Sequence, residues 1–361
     1  MDIGLFFCAH WRCYMRLIDP EKLKLIFQQN YMYHNAEIIP LKNNHVFLVK
    51  EALEHEQFVI KIYEEEKMLH WQDRFIEQMS ERETKGLIPF IKNKYQTSIN
   101  KLPDNDYVFG VMPYIPGEAI NPQNWKEVVD CLRLLAHFHA QGSGIYGKQQ
   151  VIPFRSKLLD KWTNRLQLFI RSLQPYPEAK TLETGEDNIN IQDLILSRSK
   201  EYIHWAEWTL VHFPTSYILY LEEQAQWERQ IAHLDVAPHN FLTIYGQYYY
   251  LFDYDLADYS PPLFDLIQFI NRILNEYEWD YDQMLEMINV YDKYRQLQTM
   301  EKKIIPILLV YPNDLFREWL GLWRNQGGFH SEKVYQYFKS LDSNWSRRQL
   351  FVEKCKQSWN I

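Results

Sequence analysis

The sequence predicts an α+β protein built as a small β-rich N-lobe followed by a larger helical C-lobe. Three observations predict this fold class. Short stretches of alternating apolar and polar residues fill the first third of the 361-residue chain, apolar residues at helical spacing fill most of the rest, and residues 241–252 form two further strands around a turn. A chain of this length has enough material for two modest domains or one two-lobed body.

The first predicted helix starts at Asp19-Pro20-Glu21, where Asp caps the helix, Pro suits its first turn and Glu faces the positive end of its dipole. The apolar run Ile3–Ala9 lacks the basic start and the small-residue cleavage site of a signal peptide. Because Met15 stands just before the capped helix, we expect Met1–Tyr14 to lie outside the fold as an extension. The remaining chain is divided into an N-lobe at 15–112, a hinge at 113–117 and a C-lobe at 118–361.

The N-lobe is predicted to contain a helix, three strands, a long helix and two more strands. In chain order these elements are Glu21–Gln29, Glu37–Leu41, His45–Ala52, Gln57–Tyr63, Glu64–Thr84, Leu87–Lys92 and Tyr107–Met112. The segment Met112-Pro113-Tyr114-Ile115-Pro116-Gly117 follows, and its prolines and glycine are typical of a stiff extended linker.

The C-lobe is predicted to be helical except for one hairpin and a polar surface loop at Gln174–Asn190. The hairpin strands are Phe241–Ile244 and Tyr248–Phe252, separated by Tyr245-Gly246-Gln247. The predicted helices are Asn124–Gln141, Leu158–Leu173, Ile191–Val211, Thr215–Gln226, Phe264–Glu278, Trp279–Leu297, Lys302–Val310 and Asn313–Asn325.

The composition excludes several classes of protein. Hydrophobic residues make up 46% of the chain and aromatic residues 16%, which is typical of a globular protein and not of a disordered one. The net charge of −8 comes without a basic stripe, and no apolar run approaches the length of a membrane span, so we expect neither nucleic-acid nor membrane partners. The four cysteines lack CxxC spacing and indicate neither a zinc site nor a disulfide framework.

The segment His233–Asn240 contains Asp235 with an Asn five residues later, and a further aspartate, Asp253, leaves the second strand of the predicted hairpin. This arrangement is typical of kinase-type phosphoryl transfer, in which the first Asp orients the acceptor hydroxyl while the Asn and the later Asp hold magnesium ions. The alternative is an ordinary turn whose Asp and Asn cap backbone groups. The hairpin favours the kinase interpretation, because it would bring Asn240 and Asp253 to one metal site.

Lys61 lies between apolar residues in the third predicted strand. Such a lysine usually faces solvent on an alternating strand, but in a kinase N-lobe it is the lysine that contacts the α- and β-phosphates of ATP. The helix that follows would then supply a glutamate to pair with it. Glu77 is the first candidate and Glu81, one turn further on, is the second.

The linker after the last N-lobe strand is a candidate nucleotide contact. In a kinase, the backbone at this point hydrogen-bonds the adenine edge, which makes Met112, Tyr114 and Ile115 candidate cofactor-binding residues. Taken alone, the same segment also matches a simple Pro-Gly turn, so its assignment depends on the flanking motifs.

Several motifs together resemble the aminoglycoside phosphotransferase and choline kinase superfamily, and within it the bacterial spore-coat kinase-like proteins of the CotS family. The Phe138-His139 pair and the stretch from Glu301 through Tyr311-Pro312 are those of the spore-coat branch. The resemblance runs from about Ile38 to Trp319 and implies a two-lobed protein-kinase-like fold that uses ATP and Mg²⁺. The other motifs are Tyr114-Ile115-Pro116-Gly117, Leu135–His139, His233–Asn240, Phe252-Asp253-Tyr254-Asp255 and Pro261–Leu266.

The resemblance implies a role for each matching residue. Asp235 matches the catalytic base, and Lys61 matches the phosphate-contacting lysine. Asn240 and Asp253 match the metal ligands. His233 and Asp265 match residues that support the catalytic loop, although an Asp at position 265 also suits a helix N-cap. Asp255 matches an acidic residue common in the small-molecule branch.

Two hypotheses about function remain open. The first is an ATP- and Mg-dependent phosphotransferase that acts on a hydroxyl of a small molecule or glycan, is made in the cytoplasm and is located in the spore coat. The second is a kinase-fold protein with a structural or assembly role among other spore-coat proteins and little or no turnover. The intact set of candidate site residues favours the first hypothesis.

Three departures from the superfamily pattern bear on the choice. The hairpin Leu41–Val46 has no glycine to cradle phosphates, and Leu234 stands where small-molecule relatives have Gly. Both departures favour the structural hypothesis. Ala237 stands where protein kinases have a substrate-facing lysine, which argues against a serine/threonine protein kinase.

Overall fold

The computed structural model describes residues 18–42, 45–52, 55–103, 106–174, 191–326 and 328–359. The predicted extension Met1–Tyr14 and all but the first residue of the predicted loop Gln174–Asn190 lie outside these ranges. Contacts between Cα atoms divide the chain into two compact units. Among the described residues the first unit comprises 18–150 and 228–262, and the second comprises 151–227 and 263–359. The first unit therefore contains both the strand-rich segment and the motif around Asp235.

The first unit begins with helix α1 (Pro20–Tyr31), whose predicted start is confirmed. The Asp19 carboxylate accepts a hydrogen bond from the Glu21 N–H at 3.0 Å, and Pro20 occupies the first helical position. Leu23 and Phe27 are fully buried on one side of α1, in an apolar cluster shared with the sheet that follows.

A five-stranded antiparallel sheet forms the body of the first unit. Its strands lie in the order β1-β2-β3-β5-β4, and helix α2 (Glu66–Glu81) follows the third. The strands are β1 (Ala36–Lys42), β2 (Val46–Glu51), β3 (Gln57–Tyr63), β4 (Asn100–Lys101) and β5 (Val108–Pro113). The three strands predicted before α2 and the one predicted at Tyr107–Met112 are confirmed, with ends that differ by at most one residue.

The prediction of a strand at Leu87–Lys92 is wrong. This segment is extended and buries Leu87, Ile88 and Phe90, which explains its strand-like pattern. Pro89 has no N–H to donate, so the segment cannot form a regular ladder. The Ile91 N–H donates to the Val111 carbonyl at 2.8 Å, and the strand that pairs with the far edge of β5 is β4.

The first unit also holds helix α3 (Trp125–Gln141) and several short strands. The predicted hairpin is confirmed as β8 (Phe241–Ile244) and β9 (Tyr248–Leu251). The three residues between the strands include positive φ at Tyr245 (53°) and Gly246 (63°), and the Gln247 N–H donates to the Ile244 carbonyl at 3.1 Å. Three two-residue strands were not predicted: β4, β6 (Glu118–Ala119), which joins β8, and β10 (Asp258–Tyr259), which pairs with β7 (Ile231–Ala232).

The second unit is helical. Its helices are α4 (Lys157–Ser172), α5 (Ile191–Val211), α6 (Thr215–Trp227), α7 (Pro262–Leu274), α8 (Tyr281–Asp292), α9 (Thr299–Val310), α10 (Asn313–Trp323), α11 (Ser331–Ser343) and α12 (Trp345–Trp359). The last two were not predicted. The helices predicted at Phe264–Glu278 and Trp279–Leu297 are each shorter, because Glu278 (φ 52°) and Trp279 (φ 59°) both adopt left-handed backbone between them.

The observed architecture is the predicted α+β class, with an antiparallel sheet near the N-terminus and a larger helical part. Across the described ranges, no helix has the length and apolar character needed to cross a bilayer.

Candidate active site

A buried histidine fixes the loop that carries Asp235. Strand β7 leads directly into His233, whose side chain is fully buried. The Asp235 N–H points at the His233 Nδ1 atom at 3.3 Å, which assigns the ring proton to Nε2. Nε2 then donates to the Phe252 carbonyl at 2.9 Å. This bond joins the loop to the residue immediately before Asp253.

Asn240 makes the second connection within the loop. It ends a short 3-10 turn, and its Nδ2 atom donates to the Asp235 carbonyl at 2.7 Å and lies 3.3 Å from the Asp235 carboxylate. The Phe252 N–H donates to the Asn240 carbonyl at 3.1 Å. The Asn240 Oδ1 atom is buried and accepts no hydrogen bond within the described chain. Leaving such an oxygen unsatisfied costs about 1–3 kcal/mol, which is typical of a group kept for a ligand.

Two residues of the site, Leu234 and Asp253, have a left-handed backbone conformation. Leu234 has a φ of 65°, the conformation in which glycine is free of strain. Leu234 adopts this conformation at a cost of roughly 1–2 kcal/mol. Asp253 also lies in this region, with a φ of 67°, and Asp tolerates it better than most residues.

Lys61 lies at the centre of β3 and is held by two carboxylates. Its Nζ atom is 2.6 Å from Asp253 Oδ1 and 2.6 Å from Asp255 Oδ1. Burial by itself lowers the pKa of Lys61, but the two carboxylates outweigh burial and raise that pKa above its ordinary value. The lysine is therefore charged at every ordinary pH.

Asp255 is connected to α2 through Gln72. The Gln72 Nε2 atom donates to Asp255 Oδ1 at 3.0 Å, and the Gln72 Oε1 atom accepts from the Tyr63 hydroxyl at 2.9 Å. Burial raises the pKa of Asp255; the Lys61 ammonium opposes this shift and the negative charge of Asp253 adds to it. One cation is thus shared by a buried carboxylate, Asp253, and a partly buried one, Asp255.

The two glutamates of α2 that were predicted as partners of Lys61 have other surroundings in the structure. The Glu77 carboxylate accepts from Lys92 Nζ at 2.8 Å in a half-exposed ion pair, and Glu81 is exposed. The α2 residue that reaches the lysine's carboxylates is Gln72, which sequence reasoning missed. Five residues of α-helix separate Gln72 from Glu77, so the two side chains point about 140° apart. A polar residue inside the buried stripe of α2 was the signal that could have identified it.

A pocket opens beside Lys61 within the first unit. The space inside it, including the open mouth, is about 580 Å³. The three linker residues predicted to contact nucleotide, Met112, Tyr114 and Ile115, all line it. The other lining residues are Val59, Lys61, Tyr63, Gln72, Ile76, Ile88, Phe90, Pro113, Leu242, Phe252, Asp253 and Tyr254.

The linker presents two backbone groups at this pocket. The Tyr114 N–H donates to the Gln57 carbonyl at 3.0 Å, so the alternating ladder turns the Pro113 carbonyl away from β3. The Ile115 carbonyl accepts from the Gly117 N–H at 2.8 Å. Within the described chain, the Pro113 carbonyl and the Ile115 N–H have no hydrogen-bond partner, which gives an acceptor and a donor two residues apart.

The donor set around Asp253 suits a hard cation. Among the described residues, no group of three or more His, Cys, Asp or Glu side chains is arranged to hold a metal ion. The unsatisfied Asn240 Oδ1 and the Asp253 carboxylate are both oxygen donors. Magnesium takes such oxygens from one or two protein groups and fills its remaining positions with water and substrate phosphates. The residues present therefore fit magnesium bound together with a nucleotide.

Asp265, the second predicted loop-supporting residue, belongs to the second unit. It lies in the first turn of α7 and is fully buried. Its predicted role in bracing the catalytic loop stays a prediction.

A family model described as the phosphotransferase enzyme family matches residues 42–297. The structure is similar to that of an aminoglycoside phosphotransferase from Alicyclobacillus acidocaldarius, with a TM-score of 0.74 and 16% identity over 98% of this chain and 99% of that chain. A spectinomycin phosphotransferase solved with ADP and spectinomycin gives a TM-score of 0.58 and 15% identity over 92% and 100%. An amicoumacin kinase solved with AMP-PNP and Ca²⁺ gives 0.54 and 12% over 93% and 94%. At these identities the likeness concerns the fold.

Proposed function

Because the chain belongs to the phosphotransferase enzyme family, we propose that it transfers the terminal phosphoryl group of ATP to a hydroxyl of a small molecule or glycan. The observation that carries this proposal is the set of groups gathered in the first unit. Lys61 contacts Asp253 beside an apolar pocket, and the loop bearing Asp235 and Asn240 is hydrogen-bonded to the residue next to Asp253.

The pocket provides the adenine site in this proposal. Apolar side chains such as Val59, Leu242 and Phe252 would cover the faces of the base. The Pro113 carbonyl would accept from the adenine amino group, and the Ile115 N–H would donate to the neighbouring ring nitrogen. Two of the similar structures were solved with adenine nucleotides, ADP in one and AMP-PNP in the other.

Lys61 would bind the phosphates, and Asn240 Oδ1 with the Asp253 carboxylate would hold Mg²⁺. The bound magnesium supplies charge neutralisation on the phosphates as the terminal group transfers. The lysine ammonium is already charged and lies against Asp253, so the phosphate-binding cation and the metal carboxylate are gathered before nucleotide arrives.

Asp235 would accept or orient the proton of the acceptor hydroxyl. Asn240 Nδ2 holds its backbone and lies near its carboxylate, which limits the orientations of the side chain. His233 keeps the loop joined to Phe252 and contacts no reacting atom in this scheme. Positioning of this kind is most of what an enzyme contributes to phosphoryl transfer.

We further propose that the protein belongs to the CotS-like spore-coat branch, with the coat as its location and coat proteins as partners. Two branch residues have structural roles that support this placement. Glu301 closes a capping box with the Gln298 backbone at 2.8 Å, and the Tyr311 hydroxyl donates to the Trp162 carbonyl at 2.6 Å. A silent kinase-fold protein with an assembly role is the competing candidate, favoured by the strained Leu234 turn.

Thermal unfolding with ATP separates the two candidates. At ATP concentrations near one hundred times the dissociation constant, binding adds about 2.7 kcal/mol of stability, which should require magnesium. Asp253→Ala should abolish this magnesium-dependent stabilisation. Asp235→Ala should retain it and lose turnover only. Absence of stabilisation in the wild-type protein would leave the assembly role as the better explanation.

A further inference from the structure

We propose that Asp255 is the positioning residue for the phosphate-binding lysine, and that Gln72 holds it in that role. The proposal rests on the phosphotransferase function above and concerns how Lys61 is oriented. In protein kinases this task falls to a glutamate on the helix after the lysine strand. Here the carboxylate comes from the segment after β9, and the helix contributes an amide.

The geometry assigns each group a separate contact. Lys61 Nζ is 2.6 Å from Asp255 Oδ1, and the same oxygen accepts from Gln72 Nε2 at 3.0 Å. The side chains of Lys61 and Asp255 are 8% and 15% exposed, so solvent cannot replace either contact. Asp255 is therefore held from two sides, by a cation on β3 and by an amide on α2.

The orientation of the Gln72 amide is itself set by Tyr63. The Tyr63 hydroxyl donates to Gln72 Oε1 at 2.9 Å, which turns the amide nitrogen toward Asp255. Burial raises the pKa of Tyr63, so the hydroxyl keeps its proton and remains a donor. The chain of contacts runs from Tyr63 through Gln72 and Asp255 to the lysine.

Charge balance explains why an amide and not a carboxylate occupies position 72. Lys61 already faces the buried carboxylate of Asp253 and the partly buried carboxylate of Asp255, so the cluster carries one net negative charge. A glutamate at 72 would add a third carboxylate to one ammonium in a buried site, which is strongly unfavourable. Glutamine satisfies the same hydrogen bond without that charge.

The two aspartates then have different tasks. If the Asp253 carboxylate were to hold magnesium, Lys61 would have one carboxylate fewer to fix its position. Asp255 remains and keeps the ammonium at the position where the phosphates arrive. Pre-positioned charge of this kind contributes to binding and rate because it requires no reorganisation during the reaction.

A charge-relocation experiment tests this division. Asp255→Asn should weaken Mg·ATP binding by roughly tenfold or more, the effect of losing one charge-assisted hydrogen bond. The double variant Gln72→Glu with Asp255→Asn returns one carboxylate to the lysine from the helix side, and should recover affinity to within about threefold of wild type. Affinity is measured by calorimetry with AMP-PNP, a non-hydrolysed nucleotide, over a series of magnesium concentrations.

The matched control is Asp258→Asn, the same substitution three residues along the chain. Asp258 forms a half-exposed ion pair with Lys148 at 3.0 Å and has no part in the site, so nucleotide affinity should not change. Melting curves of every variant without nucleotide identify any that fail to fold. Gln72→Met is the second test of the same link, because it removes the amide and keeps the charge of Asp255; it should weaken affinity less than Asp255→Asn.

The magnesium series distinguishes a positioning role from a metal-binding one. If Asp255 positions Lys61, Asp255→Asn leaves the magnesium concentration for half-saturation unchanged, and Gln72→Glu rescues the loss. If Asp255 is a metal ligand, that concentration rises and the double variant gives no rescue, which overturns the proposal. Wild-type protein that binds no nucleotide would instead contradict the phosphotransferase function itself.

Discussion

Replacing Lys61 by methionine should destabilise the protein far more than replacing either aspartate that it contacts. Methionine keeps the length and most of the volume of the lysine but has no charge. The substitution leaves the buried carboxylate of Asp253 and the partly buried carboxylate of Asp255 without the ammonium that lies 2.6 Å from each. Removing the only cation of a buried cluster is the costly way to break it.

The size of the loss in unfolding free energy follows from the charges that remain in the cluster after each substitution. Breaking a buried ion pair by removing one partner costs about 3–5 kcal/mol, and we expect Lys61→Met to fall in that range at pH 7. Asp253→Asn is different, because Lys61 keeps Asp255 and the net charge of the cluster falls to zero. For Asp253→Asn we expect a change in unfolding free energy below about 1 kcal/mol, in either direction.

The pH dependence of the unfolding free energy also differs between the wild type and the Lys61→Met variant. In the wild type the folded pKa of Lys61 is raised, so its contribution is fully present below the ordinary lysine pKa and is lost only as the pH rises through the folded value. In Lys61→Met, burial and mutual repulsion disfavour the ionised carboxylates, so their folded pKa values lie above the unfolded ones. The stability of this variant should therefore increase relative to wild type as the pH is lowered from 7 to 5.

Urea unfolding at pH 7 and pH 5, followed by tryptophan fluorescence, measures both effects. The slope of the free energy against urea should stay the same, which shows that the folded and unfolded states are otherwise comparable. A Lys61→Met protein as stable as wild type at pH 7, or one with no relative gain at pH 5, would contradict the sharing of one lysine by the carboxylates of Asp253 and Asp255.

Three further substitutions test other parts of the structure. Gly110→Ala places a methyl group 2.7 and 2.8 Å from the Phe90 ring and 2.9 Å from the Leu69 side chain, so it should cost about 1–3 kcal/mol in urea unfolding. Burial raises the pKa of Asp314, but neighbouring arginines outweigh burial and hold that pKa below its ordinary value. Its stabilisation is present above the unfolded pKa and is lost on acidification, so Asp314→Asn should show a weaker stability loss than wild type below about pH 4, in acid titrations followed by circular dichroism. Glu77→Gln removes only the half-exposed contact with Lys92, and should change neither the melting temperature nor AMP-PNP affinity measurably; a clear loss of affinity would restore Glu77 to the site.

Local sequence signals predicted the structure correctly where neighbouring residues alone set the backbone geometry. The cap at Asp19-Pro20, the alternating strands before α2 and the hairpin around Tyr245-Gly246 each depend on neighbouring residues and match the structure closely. Hydrogen bonds between adjacent loop segments hold Asp235, Asn240 and the residue before Asp253 together, and the chemistry that their order indicates stays a prediction.

The sequence misled where a local pattern competed with a constraint that is not local. Leu87–Lys92 has the apolar content of a strand, but Pro89 interrupts its donors and the edge of β5 is taken by β4. The helices α11 and α12 were missed because they are held largely by packing, as in the stacking of Trp345 on Trp205 at 5.2 Å. Such contacts join residues far apart in the chain.

The sequence by itself determined the α+β class, most of the helices and strands of the described chain, and the identity of the residues that carry charge at the site. Only the tertiary structure decided which of those charges meet. Glutamates were frequent on α2, but the rotation of that helix turns Gln72 toward the cluster and Glu77 toward Lys92. The rotation of a helix about its axis is fixed when its whole apolar stripe is buried against the sheet. No short residue pattern could therefore predict which α2 side chain faces Lys61.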